Sequence, residues 1–250
     1  MHEVVLTMPV YNEAEGIEIF LEEIFLAFAN RIEIVVCDDN STDDTYSILK
    51  SISERKQNLH ITQNRTNLGH GATFLNALKM GLEITKSEHL ITCDGDGQFS
   101  GHTIYRIYHE CKVKNIQVLE GVRISRSDGP LRATISFFTR ALVGILTRDF
   151  PRDANTPLRV YQRDGIVTLF GLIPKPSLVP NLWFSIIVRT RNHEFEQSAA
   201  ESRPRLGENK SGSTWQGMSR FRKLNRLIRF CRNATWEILS NIPKLTVNKD

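Results

Sequence analysis

Residues 89–98 of the chain read HLITCDGDGQ, so that two acids and an amide follow a short apolar run at alternate positions. In an extended backbone, alternate residues point to one face, which places Asp94, Asp96 and Gln98 together. Their hard oxygen donors suit Mg²⁺ or Mn²⁺, and the intervening glycines let a phosphate or a metal approach closely. The alternative is an acidic surface turn, because Asp-Gly is also a common turn dipeptide. Taken alone, the stretch predicts either a metal site or a solvated turn.

Strand and helix patterns alternate around this stretch. Short apolar runs predict buried strands at residues 4–8, 32–37, 59–62, 90–93 and 117–121. Apolar residues at helical spacing predict helices at residues 17–28, 73–84 and 131–146. Residues 41–44, with acids in the first turn, predict the start of another helix. Such alternation implies right-handed crossovers, so we expect an α/β fold with a mostly parallel central sheet and helices on both faces.

The second half of the chain is less regular. Residues 150–161 are interpreted as a loop and a strand, and residues 174–180 hold three prolines and must be irregular. Residues 182–190 fit either a helix or a strand.

Polar motifs follow four of the predicted strands. Residues 9–13 follow the first strand, residues 38–41 the second, residues 94–96 the fourth and Arg123 the fifth. The carboxyl ends of parallel strands share one edge, where ligands bind in such sheets, so these motifs should line one crevice. Surface turns would not need their acids and an arginine concentrated at one edge, and the pattern therefore favours a functional site.

The composition fits one globular domain with an appended segment: 250 residues, 40% hydrophobic, 24% charged, with a net charge of +4. The four cysteines include no Cys-x-x-Cys pair, which argues against zinc and a disulfide framework and favours a reducing compartment. The N-terminus lacks the pattern of a signal peptide, and no apolar stretch approaches the ~20 residues of a membrane span, so we expect a cytoplasmic protein. The seven histidines show no metal-ligand pairing and are interpreted as surface or structural residues.

Residues 214–250 form a basic segment that we separate from a main domain at residues 1–213. Its basic residues, with no acid between them, are Arg220, Arg222, Lys223, Arg226, Arg229 and Arg232. Apolar residues recur at helical spacing in the same stretch, which predicts an amphipathic helix. Two interpretations stay open: residues 215–239 lie on an anionic membrane surface, or the helix packs on the domain and exposes its arginines to solvent.

The motifs, taken in order, resemble those of the family-2 glycosyltransferases of the GT-A fold, and most of all the dolichyl- and polyprenyl-phosphate sugar transferases. The resemblance covers about residues 3–211. It is carried by Pro-x-Tyr-Asn-Glu at 9–13, Asp-Asp-x-Ser-x-Asp-x-Thr at 38–45, Asn-x-Gly-x-Gly at 67–71, Asp-x-Asp-x-Gln at 94–98, and segments similar to Gly-Ser-Arg at 121–123 and Asp-x-x-Ser-Gly-Phe-Arg at 153–159. Residues 100–102 read SGH where the family often has Pro-Pro-Glu. The family's later Arg-x-x-Gly-x-Ser-Lys is blurred at residues 202–211, so either Arg203 or Arg205 matches its arginine.

The resemblance implies a nucleotide-diphosphate sugar as donor. The residues at the family's nucleotide-binding positions are Pro9, Tyr11, Glu13, Cys37, Asp39, Cys93, Asp94 and Gly95. Asp94, Asp96 and Gln98 would hold Mg²⁺ or Mn²⁺, which offsets the negative charge that develops on the leaving diphosphate. Tyr11 can pack on a base or ribose, Glu13 can accept hydrogen bonds from ribose hydroxyls, and Asp39 can accept one from a base N–H.

The expected catalytic residues are Asp153, Arg123, Arg132 and Arg205. The arginines would bind phosphate oxygens, which their planar fork matches. If the acceptor is a glycan hydroxyl, Asp153 would act as the base. If the acceptor is a polyprenyl phosphate, its oxygen is already ionised, and Asp153 would orient the acceptor or hold Arg159.

We therefore expect a metal-dependent, inverting transfer of a sugar to a polyprenyl-phosphate or glycan acceptor, by an enzyme on the cytoplasmic side that contacts the membrane peripherally. A sugar-1-phosphate nucleotidyltransferase is the first alternative, but it would need a Gly-rich, Arg- or Lys-bearing loop where residues 9–13 stand. The second is a non-catalytic module that binds membrane or nucleic acid. Its basic segment lacks an aromatic RNA-reading pattern, so no nucleic-acid partner is expected.

Overall fold

The computed structural model describes residues 2–124, 130–191, 193–207 and 220–247, without the side chains of residues 130–132, 220–224, 226–227 and 243–247. The strands are β1 (Val4–Val10), β2 (Glu33–Asp38), β3 (Leu59–Gln63), β4 (His89–Thr92), β5 (Val118–Arg123), β6 (Arg159–Gln162) and β7 (Phe195–Ala200). The helices are α1 (Ile17–Ala27), α2 (Thr45–Arg55), α3 (His70–Ile84), α4 (Gly101–Lys114), α5 (Pro130–Thr147), α6 (Arg163–Leu172), α7 (Pro180–Thr190) and α8 (Arg220–Val247).

The strands form one sheet in the order β3-β2-β1-β4-β6-β5-β7. Only β6, among the described strands, runs antiparallel to its neighbours β4 and β5; the other pairings are parallel. The predicted α/β fold with a mostly parallel sheet is confirmed. The carboxyl ends of β1, β2, β4, β5 and β7 consequently share one edge, and the loops that follow them start there.

Both faces of the sheet are buried. Along β1, Leu6 and Met8 pack into a core with α1 and α4, whereas Val5 packs into a second core with α3 and α7. Such two-sided burial explains why the strand reads as a continuous apolar run. The second core also receives Ala234 and Ile238 of α8.

The sequence analysis did not predict three of the described elements: α4, α6 and β7. Helix α4 carries many polar and aromatic residues, and Ser100 caps its start by accepting a hydrogen bond from the Thr103 N–H (3.1 Å). Strand β7 reads FEQSAA and has few of the β-branched residues that favour strands, so its pairing with β5 decides its conformation. Residues 182–190, which fitted either state, lie in helix α7. The expected boundary between residues 213 and 214 lies outside the described residues.

Candidate active site

Three charged side chains from distant parts of the chain meet at the carboxyl edge of the sheet. Arg205 Nη2 lies 2.9 Å from Glu13 Oε1 and 3.5 Å from Asp96 Oδ2. Glu13 stands in the loop after β1, Asp96 in the loop after β4, and Arg205 in the segment after β7. Because these strands run in one direction, the topology brings their loops to the same place.

The segment that carries Arg205 is fixed by backbone hydrogen bonds to the acidic loop. The Arg203 N–H donates to the Gln98 carbonyl (2.9 Å), and the Leu206 N–H donates to the Asp96 carbonyl (3.1 Å). Leu206 then packs on Gly97, where a Cβ would lie 2.6 Å from the leucine side chain and where φ is +67°. Glycine is therefore required at residue 97 by both its backbone conformation and its neighbour.

Arg203 and Arg205, which the sequence could not distinguish, have different surroundings. The Arg203 guanidinium donates to both carboxylate oxygens of Glu23 on α1 (3.0 and 2.6 Å), and its Nε donates to the Gly97 carbonyl (2.8 Å). Arg203 thus ties the segment to α1, whereas Arg205 lies among the carboxylates of the crevice.

Asp94 pairs with a histidine that the sequence analysis assigned to no site. His70 Nε2 lies 2.8 Å from Asp94 Oδ1, and the His70 ring stacks on Phe74 one turn along α3. The only sequence signal was the position of His70 in the Asn-x-Gly-x-Gly turn at the start of a helix. Next to Asp94, a Cβ on Gly95 would overlap the side chain of Val10, which explains the glycine between the two acids.

The electrostatics of the two acids differ. Burial alone would raise the pKa of Asp94, but the charge and hydrogen bond of His70 outweigh it and lower that pKa. Burial and the neighbouring charge of Asp94 raise the pKa of Asp96, against the opposing effect of Arg205. Burial likewise raises the pKa of Glu13, to about 8, and Arg205 opposes the rise. The crevice is therefore an acidic cluster that faces one arginine and one histidine.

The loop after β1 is locked onto the loop after β2. The Glu13 N–H donates to Thr45 Oγ1 (2.8 Å), and the Ala14 N–H donates to Asp43 Oδ2 (3.3 Å). Asp43 also accepts from the Thr45 N–H (3.0 Å) at the start of α2. Glu13 is thereby held with its side chain turned into the crevice and almost fully buried.

The Asp39 carboxylate accepts hydrogen bonds from the turn before α3. Its Oδ1 accepts from the Leu68 N–H (2.8 Å) and from Asn64 Nδ2 (2.9 Å), and its Oδ2 accepts from the Gly69 N–H (2.9 Å). These bonds hold the turn before α3.

The other expected nucleotide-binding residues lie at the strand ends with different exposure. The side chains of Cys37 and Cys93 are fully buried, and that of Cys93 belongs to the core with α1 and α4. The Pro9 carbonyl accepts from the Gly95 N–H (3.2 Å) and joins the two loops. Tyr11 is half-buried.

Asp153 is held by Arg123. The Arg123 Nε donates to Asp153 Oδ2 (2.7 Å), its Nη2 donates to Oδ1 (3.0 Å), and the same Nη2 donates to the Asn155 carbonyl (3.1 Å). The charge of Arg123 also helps to lower the pKa of Asp94. The alternative in which Asp153 holds Arg159 is wrong, because Arg159 pairs with Glu120.

Arg159 is fully buried and pairs with Glu120 (3.2 Å), directly opposite on β5. It also donates to the carbonyls of Thr156 (2.6 Å) and Asn181 (3.1 Å). Its guanidinium also donates to Asn181 Oδ1 (3.2 Å) and Ser185 Oγ (2.7 Å), so these partners and Glu120 hold it in the protein interior. The side chain of Arg132 lies outside the described residues, although its backbone belongs to α5.

Within the described residues, no group of three or more His, Cys, Asp or Glu side chains is arranged to hold a metal ion. Asp94, Asp96 and the half-buried Gln98 offer two carboxylates and an amide, which fits an ion that takes its other ligands from phosphates and water. Asp94 faces His70 at 2.8 Å and Asp96 faces Arg205 at 3.5 Å.

Helix α8 lies against the domain over its second half. Ala234 and Ile238 are buried in the core, whereas Ile228, Trp236 and Leu239 are exposed, the tryptophan to 75%. No described helix has both the length and the apolar character that a membrane span requires. The packed helix was one of the two interpretations left open by the sequence.

The structure is thus an α/β sheet with an acidic, arginine-bearing crevice at its carboxyl edge, where ligands bind in such sheets. The family model described as "Glycosyl transferase family 2" matches residues 6–163, and the chain belongs to this family. The resemblance deduced from the motifs is confirmed.

Two curated relatives are similar over most of the chain. Dodecaprenyl-phosphate galacturonate synthase of Rhizobium johnstonii is 27% identical over 176 residues, which is 68% of this chain and 51% of that protein. Undecaprenyl-phosphate 4-deoxy-4-formamido-L-arabinose transferase of Pseudomonas fluorescens is 28% identical over 182 residues, 71% of this chain and 52% of that protein. The chain thus spans about half the length of these relatives.

Solved structures share the fold. Glucosyl-3-phosphoglycerate synthase from Mycobacterium tuberculosis, in complex with Mn²⁺, uridine diphosphate and phosphoglyceric acid, has a TM-score of 0.67 and 17% identity, covering 96% of this chain and 78% of the other. A mannosyltransferase from Pyrobaculum calidifontis, in complex with GDP-Man and Mn²⁺, has a TM-score of 0.57 and 15% identity, covering 99% and 76%. These similarities confirm the GT-A fold predicted from the motifs.

Proposed function

We propose that this protein transfers a sugar from a nucleotide-diphosphate sugar to a polyprenyl phosphate, with inversion and with a divalent metal. The observation that carries the proposal is the position of Asp94 and Asp96 in the loop after β4, where Asp94 faces His70 at 2.8 Å and Asp96 faces Arg205 at 3.5 Å. Such a cluster can take up a metal and a diphosphate together, because Arg205 and a protonated His70 can turn from the acids to the phosphates.

Asp96 and Gln98 are the proposed metal ligands, with Asp94 nearer the nucleotide. Mg²⁺ or Mn²⁺ bound there would act as a Lewis acid on the leaving diphosphate. Arg205 and Arg123 would bind phosphate oxygens through their forks. Solved relatives of this fold carry Mn²⁺ with uridine or guanosine diphosphate compounds, which supports the donor class.

The nucleotide would lie over the loop after β1. Tyr11 would pack on the base or ribose, Glu13 would accept from ribose hydroxyls, and Asp39 would accept from a base N–H. The backbone of Pro9, Cys37, Cys93 and Gly95 would line the strand ends beneath it. The buried thiols of the two cysteines favour this backbone role over a side-chain role.

The Arg123–Asp153 pair supports a phosphate acceptor over a hydroxyl acceptor. Both oxygens of Asp153 accept from the guanidinium, which weakens the carboxylate as a proton acceptor. An acceptor phosphate needs no base, because its oxygen is ionised and attacks the anomeric carbon directly, and a single displacement inverts that carbon. The polyprenyl-phosphate enzymes among the relatives support this acceptor over a glycan hydroxyl. Arg132 is proposed to bind the acceptor phosphate.

The exposed side of α8 is the proposed contact with the cytoplasmic membrane face. Ile228, Arg232, Trp236 and Leu239 are all exposed and recur at helical spacing, so they share one side of the helix, which we call the outer face of α8. Arg229 is exposed beside them. Tryptophan and aliphatic side chains between arginines suit an anionic bilayer surface, where a lipid-linked acceptor would be found.

A thermal-shift panel of UDP-, GDP- and dTDP-sugars with Mn²⁺ or Mg²⁺ tests the donor assignment. One base should raise the Tm by about 5–10 °C at a concentration of ~100 Kd, and EDTA should abolish the rise. A rise that persists in EDTA would contradict the metal requirement. The absence of any rise with all donors would contradict the proposed function.

A further inference from the structure

Glu237 on α8 holds the segment that leads into α7. Its Oε1 accepts from Ser177 Oγ (2.5 Å) and from Trp183 Nε1 (2.9 Å), and its Oε2 accepts from the Leu178 N–H (2.8 Å). Hydrogen bonds to an ionised carboxylate are stronger than neutral ones. A single side chain of α8 therefore fixes both the turn at residues 177–178 and the first turn of α7.

The first turn of α3 packs directly on the turn at residues 177–178. A Cβ on Gly71 would overlap the Ser177 carbonyl oxygen and lie 3.0 Å from the Leu178 carbonyl carbon. The two backbones are thus in direct contact, with no side chain between them to absorb a displacement. Packed interiors transmit such displacements, so a shift of residues 177–178 would move the start of α3.

His70 precedes Gly71 and pairs with Asp94 at 2.8 Å. Its ring stacks on Phe74, and Phe74 in turn contacts Phe184 of α7, with ring centroids 6.1 Å apart. Two lines of contact therefore run from α7 and its leading turn to His70, one through Gly71 and one through Phe74. Both depend on the position that Glu237 imposes.

We infer that Glu237 is a positioning residue, which places His70 against Asp94 through the Ser177–Leu178 turn and Gly71. Helix α8 then forms part of the support of the donor site in addition to carrying the outer face. The inference rests on the proposed function in one respect, the assignment of Asp94 to the donor site.

Glu237→Gln in the full chain is the sharpest test. Glutamine keeps the shape and the Oε1 acceptor for Ser177 and Trp183, but it places an amide donor opposite the Leu178 N–H. Ser177→Ala is a milder second variant that removes one donor. Ser240→Ala is the matched control, because Ser240 is an exposed residue on the same helix.

Two measurements below the Tm of every variant separate positioning from stability. Hydrogen exchange should accelerate at residues 69–74 in Glu237→Gln and not in α4, and the Kd for UDP or GDP with Mn²⁺ should rise about fivefold or more. In a double-mutant cycle, Glu237→Gln should add little to the effect of His70→Ala on that Kd, because both act through one contact. Ser240→Ala should match the unsubstituted protein in both measurements.

Unchanged exchange at residues 69–74, or an unchanged Kd despite faster exchange, would overturn the inference. Full additivity with His70→Ala would overturn it as well. Failure of the unsubstituted protein to bind either nucleotide with Mn²⁺ would instead contradict the proposed donor site. The exchange measurement would then still decide whether Glu237 holds α3 in place.

Discussion

Arg205 lies 2.9 Å from Glu13, although one residue follows the last strand of the sheet and the other follows the first. Arg205 also lies 3.5 Å from Asp96, so it links the two acidic loops of the crevice. The pair is only partly exposed, which keeps its electrostatic interaction strong relative to a solvated surface pair. This position is the basis for our proposal that Arg205 binds a phosphate beside residues 94–98.

Arg205→Ala should lower kcat/KM for the donor by about 10- to 100-fold, because it leaves two acids without their cation where a diphosphate must bind. Arg203→Ala is the matched comparison: it should lower the Tm by releasing Glu23 and should change donor kinetics less. Steady-state kinetics and thermal melts on both variants measure the difference. Equal kinetic losses in the two variants would contradict the assignment of Arg205 to the site.

Asp96→Asn should reduce sugar transfer by about 100-fold or more and should weaken Mn²⁺-dependent nucleotide binding, because an amide is a poorer ligand for a hard cation. Asp44→Asn, which changes an exposed acid at the start of α2, should leave both unchanged. Calorimetry with and without EDTA gives the metal-dependent part of binding. Retained transfer by Asp96→Asn would exclude the proposed metal ligand.

Asp153→Asn should lower kcat/KM by about tenfold and leave the shape of the pH profile intact, because the residue is proposed to orient Arg123 and the acceptor. A general base would behave differently: its loss costs about 100- to 10,000-fold and removes the limb of the profile that reports its ionisation. The pH dependence of kcat/KM for both proteins distinguishes the two. Loss of one limb of the kcat/KM profile in Asp153→Asn would favour a hydroxyl acceptor.

Reversing two charges on and beside the outer face of α8, with Arg229→Glu and Arg232→Glu, should weaken binding to anionic vesicles by about tenfold or more, since each arginine near such a surface contributes about 1 kcal/mol. Trp236→Ala should weaken binding also to neutral vesicles. Lys86→Glu, an exposed lysine elsewhere, is the control. Co-sedimentation with vesicles measures the binding. Unchanged binding of the arginine variants would exclude the outer face of α8 as the membrane contact.

Glu120→Gln should lower the free energy of unfolding. It should also weaken the dependence of that free energy on pH at acidic pH. Burial tends to raise the pKa of Glu120, but Arg159 and Arg189 outweigh it and lower the pKa below the ordinary value of 4.5. A carboxyl whose folded pKa is depressed stabilises the fold above its unfolded pKa, and this contribution is lost as the pH falls through the folded pKa. Breaking such a buried pair costs about 3–5 kcal/mol. Urea unfolding at pH 7 and in steps below pH 4.5 measures both effects; an unchanged pH dependence at acidic pH would contradict the role of Glu120.

Much of the fold followed from local patterns, because β1, β2 and β4 are buried on both faces and so read as apolar runs. Helix α1 shows its buried side as a clear 3.6-residue repeat. Strand β7 and helix α4 were missed because their sequences carry weak local preferences and their conformations depend on neighbours.

The chain order of the motifs and the rule that ligands bind at the carboxyl edge of such a sheet determined the fold class, the family and the acidic crevice. Only the tertiary structure decided the partners within that crevice. Residues far apart in sequence pair there: His70 with Asp94, Arg123 with Asp153 and Arg205 with Glu13. Nothing in local spacing encodes which basic side chain faces which carboxylate. That choice depends on the packing of turns such as Leu206 on Gly97, whose geometry exists only in the folded chain.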